Sequence, residues 1–178
     1  MVIAEPLLRR PAAGTTSLLL PDLLQATDLA ADAVISGRYD HLVPRAGLPT
    51  DRRWATRIQG DESLDVWLIS WAPGAPTQLH HYGESLGALT VLSGSLTEFY
   101  WQHGQLNQRR LDAGEQHTFS RGGVHDIVWA PSEAWDAQVP TLSVHAYSPP
   151  LTEISHYDVS GEAADAVSLQ RTEAIDEP

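Results

Sequence analysis

The sequence predicts an all-β barrel or two-sheet sandwich preceded by a short helical segment. Three observations predict it. A chain of 178 residues with 42% apolar composition suits one domain with one hydrophobic core. Leu and Ala recur at three- and four-residue spacings before residue 50, as in amphipathic helices. From Arg52 to about Tyr147 the pattern becomes short runs rich in Val, Ile, Trp, Thr and Tyr, broken by Gly- and Pro-containing turns.

The elements follow in order. Residues 1–50 form a helical segment packed on the barrel, with two or three short helices between Thr15 and about Arg45, where Ser, Asp and Pro stand near the starts. Residues 51–158 form the barrel, with strands at RRWATRI, SLDVWLISWA, ALTVLSG, LTEFYW, QHTFS, HDIVWA and TLSVHAYS. Residues 159–178 form an acidic, weakly ordered tail: from Gly161 on, five carboxylates oppose only Arg171 and large apolar groups are few. The six Trp residues, Trp54, Trp67, Trp71 and Trp129 among them, read as core and wall groups.

Composition narrows the function. There is no cysteine, so disulfides, thiolate nucleophiles and Cys-based metal sites are excluded. Twenty-three acidic against 11 basic residues, a formal charge of −12, argue against nucleic acid and anionic membranes as partners. No run has the length of a bilayer span and the first residues lack a signal-peptide core, so a cytoplasmic protein is expected; separately, a monomer is expected.

Chemistry concentrates in two clusters. In the first, running from Gly74 through Gln78-Leu79-His80-His81-Tyr82-Gly83 to Gly87 and Gly94, strand alternation puts His80 and Tyr82 on one face and His81 on the other. The second, Gly114-Glu-Gln-His117-Thr-Phe-Ser-Arg-Gly122-Gly123-Val124-His125, places a His at the head of an apolar strand. Two such strands facing each other inside a barrel bring imidazoles together, and neutral imidazole is the commonest side-chain ligand of transition metals.

These clusters resemble the two cupin motifs, G-x5-H-x-H followed by an acidic position and x6-G, and G-x5-P-x-G-x2-H-x3-N. Tyr82 stands at the second His, Gly87 at the acidic position, Ser120 at the Pro and Trp129 at the Asn; Gly114, Gly122 and His125 match. Among cupins the stretch from Arg52 to Asp158 is similar to the cysteine dioxygenases. Arg57 stands at that family's carboxylate-binding Arg, Ser143-Val-His145-Ala-Tyr147 resembles its Ser-x-His-x-Tyr, and SPPL follows directly. The resemblance implies a cupin double-stranded β-helix, a jelly-roll-like barrel. It implies Fe(II), or another divalent transition metal, held by His80, His125 and the residue at position 82. It further implies that Arg57 binds a substrate carboxylate and that Tyr147 offers its hydroxyl, oriented by His145 and Ser143.

Two departures stand out. Gly87 lies where animal members carry a Cys that crosslinks to the active-site Tyr, so no crosslink forms here; bacterial relatives commonly have Gly. Tyr82 replaces a neutral imidazole by a phenol that must ionise to ligate well. Three arrangements are open: a His2Tyr site, a two-His site with Tyr82 unligated or merely filling the barrel mouth, or His81 turned inward by a bulge.

The expected function is an iron-dependent thiol dioxygenase of cysteine metabolism that adds O2 to the sulfur of L-cysteine or a related small thiol carboxylate, giving a sulfinic acid. Two alternatives are a metal- or ligand-binding cupin without turnover, and a different oxidation or isomerisation at a His2Tyr zinc, copper or nickel. His41, His103, His117 and His156 lie in helix, turn or tail contexts and are given no role.

Overall fold

In a computed structural model, which describes residues 17–74, 78–131, 139–160 and 168–175, one helix packs outside two facing antiparallel sheets. The expected helices reduce to α1 (Leu20–Ile35) and a 3-10 turn at Asp40–Leu42. The Asp22 carboxylate accepts the Leu19 N–H at 2.9 Å, closing the start of α1. At its end Gly37, at φ +80°, lets Gly37 N–H reach Val34 O and Arg38 N–H reach Ala33 O, a Schellman stop. Leu23, Thr27, Ala30 and Ala31 recur on one face and are buried.

That face covers the outside of the first sheet. Its order is β1 (Trp54–Gly60), β2 (Asp65–Trp71), β9 (Thr141–Ser148), β4 (Leu86–Ser93), β7 (Gln116–Phe119). Val66, Leu68, Ala88, Val144 and Ala146 pack with Leu23, Ala30 and Ala31 into one core. The alternate residues of these strands point inward, where Ile69, Leu89, Val91 and Phe119 join a second core.

The second sheet runs β11 (Ser168–Ile175), β10 (Ile154–Ser160), β3 (Leu79–His81), β8 (His125–Ala130), β5 (Ser95–Gln102), β6 (Gln105–Asp112). It adds Leu96, Leu111 and Ile127 to the inner core, with Trp67 and Trp129 packed against it. His103 and Gly104, at φ 54° and 76°, make the two-residue turn between β5 and β6.

The expected weakly ordered tail is corrected over residues 168–175. They pair with β10 along its length, because β10 otherwise presents an open row of backbone donors and acceptors at the sheet edge. Residues 1–16, 161–167 and 176–178 lie outside the described residues, with the parts of the helical-segment and tail expectations that fall on them. No helix among the described residues is long and apolar enough to cross a membrane.

Candidate metal centre

His80 and His125 face one another directly in the β3–β8 register, so their side chains share the inner face. Their ring centroids are 5.1 Å apart. The His80 Nδ1–H donates to Gln78 O at 2.7 Å, and the His125 Nδ1–H donates to Glu98 Oε1 at 3.0 Å. Both tautomers are thereby set, each leaving its lone pair on Nε2. The His125 Nε2 is buried and has no hydrogen-bond partner.

The His80 Nε2 does have one: the Tyr82 hydroxyl, at 2.9 Å. Tyr82 also lies within 5.5 Å of the His125 ring and 4.7 Å of the Tyr147 ring, centroid to centroid. Burial raises the Tyr82 pKa from its usual 10.0, only partly opposed by the charge of Arg53 and a hydrogen bond to Tyr147, so the phenol keeps its proton. His81 does not turn inward: β3 and β10 pair in continuous register through His80 and His81, and the His81 Nδ1 accepts the Gly83 N–H at 2.8 Å. The bulge alternative is therefore corrected.

Ser143, His145 and Tyr147 share the inner face of β9 and form a hydrogen-bonded chain whose polarity is fixed at both ends. The Trp71 Nε1–H, which only donates, reaches Ser143 Oγ at 2.8 Å. The Ser143 hydroxyl then donates to His145 Nε2 at 3.0 Å, and the His145 Nδ1–H to the Tyr147 oxygen at 3.1 Å. The Tyr147 hydroxyl bonds to that of Tyr82, which donates to His80 Nε2, and the chain ends at the Gln78 carbonyl, which only accepts. Burial depresses the His145 pKa and raises that of Tyr147, so every member is neutral. Gly87 lies opposite Tyr147 in the β4–β9 register; a Cβ there would stand 2.7 Å from the Phe119 ring and 3.2 Å from that of Tyr147. Gly87 is thus what allows the two rings to close over the site.

Arg57 lies opposite Trp67 in the β1–β2 register, and its guanidinium folds over Gly60 to pair with Asp65 Oδ1 at 2.6 Å. Asp65, 2% exposed, lies opposite Tyr147, so the Arg57 pair sits at the Tyr147 end of the barrel. The Arg57 charge is therefore already paired with a buried carboxylate.

Sequence reasoning missed Glu98, Arg53 and the placement of His117. Glu98 is 2% exposed. Besides His125, it takes Arg109 Nε at 2.8 Å and His117 Nε2 at 3.2 Å on its other oxygen. Burial lifts its pKa, opposed by His117 and Arg109. A cleft of about 160 Å³, lined among others by Glu98, Tyr100, Arg109, His117 and Phe119, reaches His125 from this side. The Arg53 guanidinium lies 5.0 Å from the Trp71 ring centroid, and its charge acts on His80, Tyr82, His145 and Tyr147. Nothing in the run RRW marked Arg53 out; the strand pattern LTEFYW gave Glu98 an alternating position but no partner.

Among the described residues, no three His, Cys, Asp or Glu side chains are disposed as they stand to hold an ion. Two imidazoles with lone-pair nitrogens, one of them buried and unpartnered, do fit a transition metal, with the Tyr82 oxygen beside them.

The neutral state of the imidazoles has a cost in acid. Burial lowers the pKa of both His80 and His125 from 6.5 to about 3. Because the folded values are depressed, their contribution to stability is present above pH 6.5 and is lost as pH falls toward 3. The expected slope in this window is up to about 1.4 kcal/mol per pH unit for each histidine. Glu98, raised in the folded state, opposes this in the window above its unfolded value. Urea melts of the metal-free protein at pH 7, 5.5 and 4 will read the net effect as a falling midpoint.

Two facing antiparallel sheets that close on an inward cluster of imidazoles define a cupin barrel. The chain belongs to the cysteine dioxygenase type I family, whose profile matches residues 20–160. Among solved structures it is similar to a protein with a double-stranded β-helix domain from Klebsiella pneumoniae subsp. pneumoniae MGH 78578, with 16% identity, a TM-score of 0.48, and coverage of 75% of this chain and 93% of that one. A cupin superfamily protein from Desulfitobacterium hafniense DCB-2 is 9% identical, with a TM-score of 0.46 over 57% of this chain and 81% of that one. KdgF from Halomonas sp. is 16% identical, with a TM-score of 0.45 over 57% of this chain and 82% of that one.

Proposed function

We propose that the protein is an iron-dependent thiol dioxygenase that converts L-cysteine or a related small thiol carboxylate, with one O2, to the sulfinic acid. The observation that carries this reading is the buried, unpartnered Nε2 of His125 opposite His80. His80 and His125 would hold the metal, Fe(II) or another divalent transition ion, and Tyr82 brings a phenol oxygen to the same point. A bound Fe(II) supplies the place where O2 is activated toward sulfur. Without a metal Tyr82 is neutral and donates to His80 Nε2; an ion taking that nitrogen would displace this hydrogen bond and meet the phenol oxygen at the same point.

The remaining residues bind and orient. Arg57, released in part from Asp65, would pair with the substrate carboxylate through its planar fork. Tyr147 holds a proton at its oxygen at the centre of the hydrogen-bonded chain, while His145 and Ser143 fix its direction. Replacing Tyr147 with Phe interrupts that chain, and kcat is expected to fall about 100-fold with KM little changed. Arg57→Gln is expected to act in the opposite way, raising KM for carboxylate-bearing thiols about 10- to 100-fold, a loss of about 1.4 to 2.7 kcal/mol, while sparing thiols without a carboxylate.

The hydrogen bond from Tyr82 to His80 Nε2 favours a second reading, a cupin that binds a metal or small ligand without turnover. Oxygen uptake and sulfinate formation by the Fe(II)-loaded protein over a panel of thiols separates the two. Sulfinate in one-to-one ratio with O2 supports the dioxygenase; oxygen uptake without sulfinate, or none, removes it.

A further inference from the structure

The sheet that carries the two imidazoles carries a third in the same row. His156 on β10 lies directly opposite His80 on β3, which lies directly opposite His125 on β8. Directly opposed residues in antiparallel strands project to the same face, so His156, His80 and His125 stand side by side across three neighbouring strands. The His156 and His80 ring centroids are 6.1 Å apart, against 5.1 Å between His80 and His125. The His156 Nδ1 is buried and has no hydrogen-bond partner.

We infer that His156 supplies the third imidazole of the metal centre, the place that Tyr82 leaves without one. The inference rests on the reading that His80 and His125 hold a metal. As the rings stand the three do not converge on one point. The two outer strands lie about 10 Å apart, twice the inter-strand spacing. Two imidazoles leaning inward from either side of the middle one span that gap and can meet one ion at metal–nitrogen bonds of about 2.1 Å. His156 can lean because of where it sits. The β10–β11 pairing is irregular beside it: between His156↔Glu173 and Tyr157↔Arg171 the β11 strand carries one extra residue, a bulge that adds local twist next to the row.

The test uses the full chain labelled with 15N at histidine, one equivalent of Zn(II) as a diamagnetic probe, and long-range proton–nitrogen NMR of the imidazole rings. In the wild type, three imidazoles, assigned with His80→Ala, His125→Ala and His156→Ala, are expected to take metal-bound nitrogen shifts. His156→Ala should retain two and bind Zn(II) at least tenfold more weakly in competition with a chelator. His156 nitrogens that do not move when Zn(II) is added, or equal affinity in His156→Ala, would overturn the inference, and the wild-type spectrum decides even where the variant is unstable. If His125→Ala binds Zn(II) as well as the wild type, the two-imidazole reading itself fails and the inference falls with it.

Discussion

Replacing His125 with alanine is expected to weaken binding of Fe(II) or Zn(II) more than 100-fold and, under the proposed dioxygenase reading, to reduce sulfinate formation to background. His125 presents the buried Nε2 that no protein group satisfies, and its ring packs 4.3 Å from that of Phe119, centroid to centroid. Losing a partner beyond the ligands commonly costs 10- to 100-fold in metal affinity, and losing a ligand costs more. The substitution also strips Glu98 Oε1 of its donor, so the apo protein should lose about 1 to 3 kcal/mol. Metal content by atomic spectroscopy, chelator competition and a thermal melt separate these effects. Retained metal with lost stability would show His125 to be structural only.

Glu98→Ala should have the larger effect on the fold. One buried carboxylate receives His125, Arg109 and His117, and its removal leaves all three without their anion. Breaking a buried pair typically costs 3–5 kcal/mol; because Arg109 keeps 37% of its side chain exposed and rehydrates, about 3 kcal/mol is expected here. For a chain of this size that lowers Tm by about 10 °C. Metal affinity should also fall about 10- to 100-fold, since the His125 Nδ1–H loses the acceptor that keeps its lone pair on Nε2. Glu98→Gln retains an acceptor of similar shape without the charge. It should recover much of the metal affinity and less of the stability; equal recovery of both would mean that charge plays no part.

The fold was legible where strands are long and half-buried. β2, β4, β5, β8 and β9 fall where runs of Val, Ile, Leu, Trp and Tyr lie between Gly- and Pro-containing turns, and β9 aligns Ser143, His145 and Tyr147 as alternation requires. β6 was not legible. Gln105–Asp112 is an edge strand with one buried residue, Leu111, so no apolar alternation marks it. β10 and β11 were hidden for a related reason: their pairing satisfies a sheet edge, and that depends on backbone rather than on side-chain pattern.

The site divides along the same line. His80, His125 and Tyr82 were readable because motif spacing and strand parity place them. Glu98 and His156 acquire meaning only through cross-strand register, Glu98 against Arg109 and Ile127 and His156 against His80, which one-dimensional spacing does not carry. Arg57 was singled out only by the family resemblance, whereas its partner Asp65 follows from the β1–β2 hairpin.

The most direct measurement is anomalous diffraction at the iron edge from crystals of the protein loaded anaerobically with Fe(II). A single iron peak bonded to His80 Nε2 and His125 Nε2 at about 2.1 Å is predicted. Iron held elsewhere, or no ordered iron while the Tyr82 hydroxyl remains on His80 Nε2, would contradict the account.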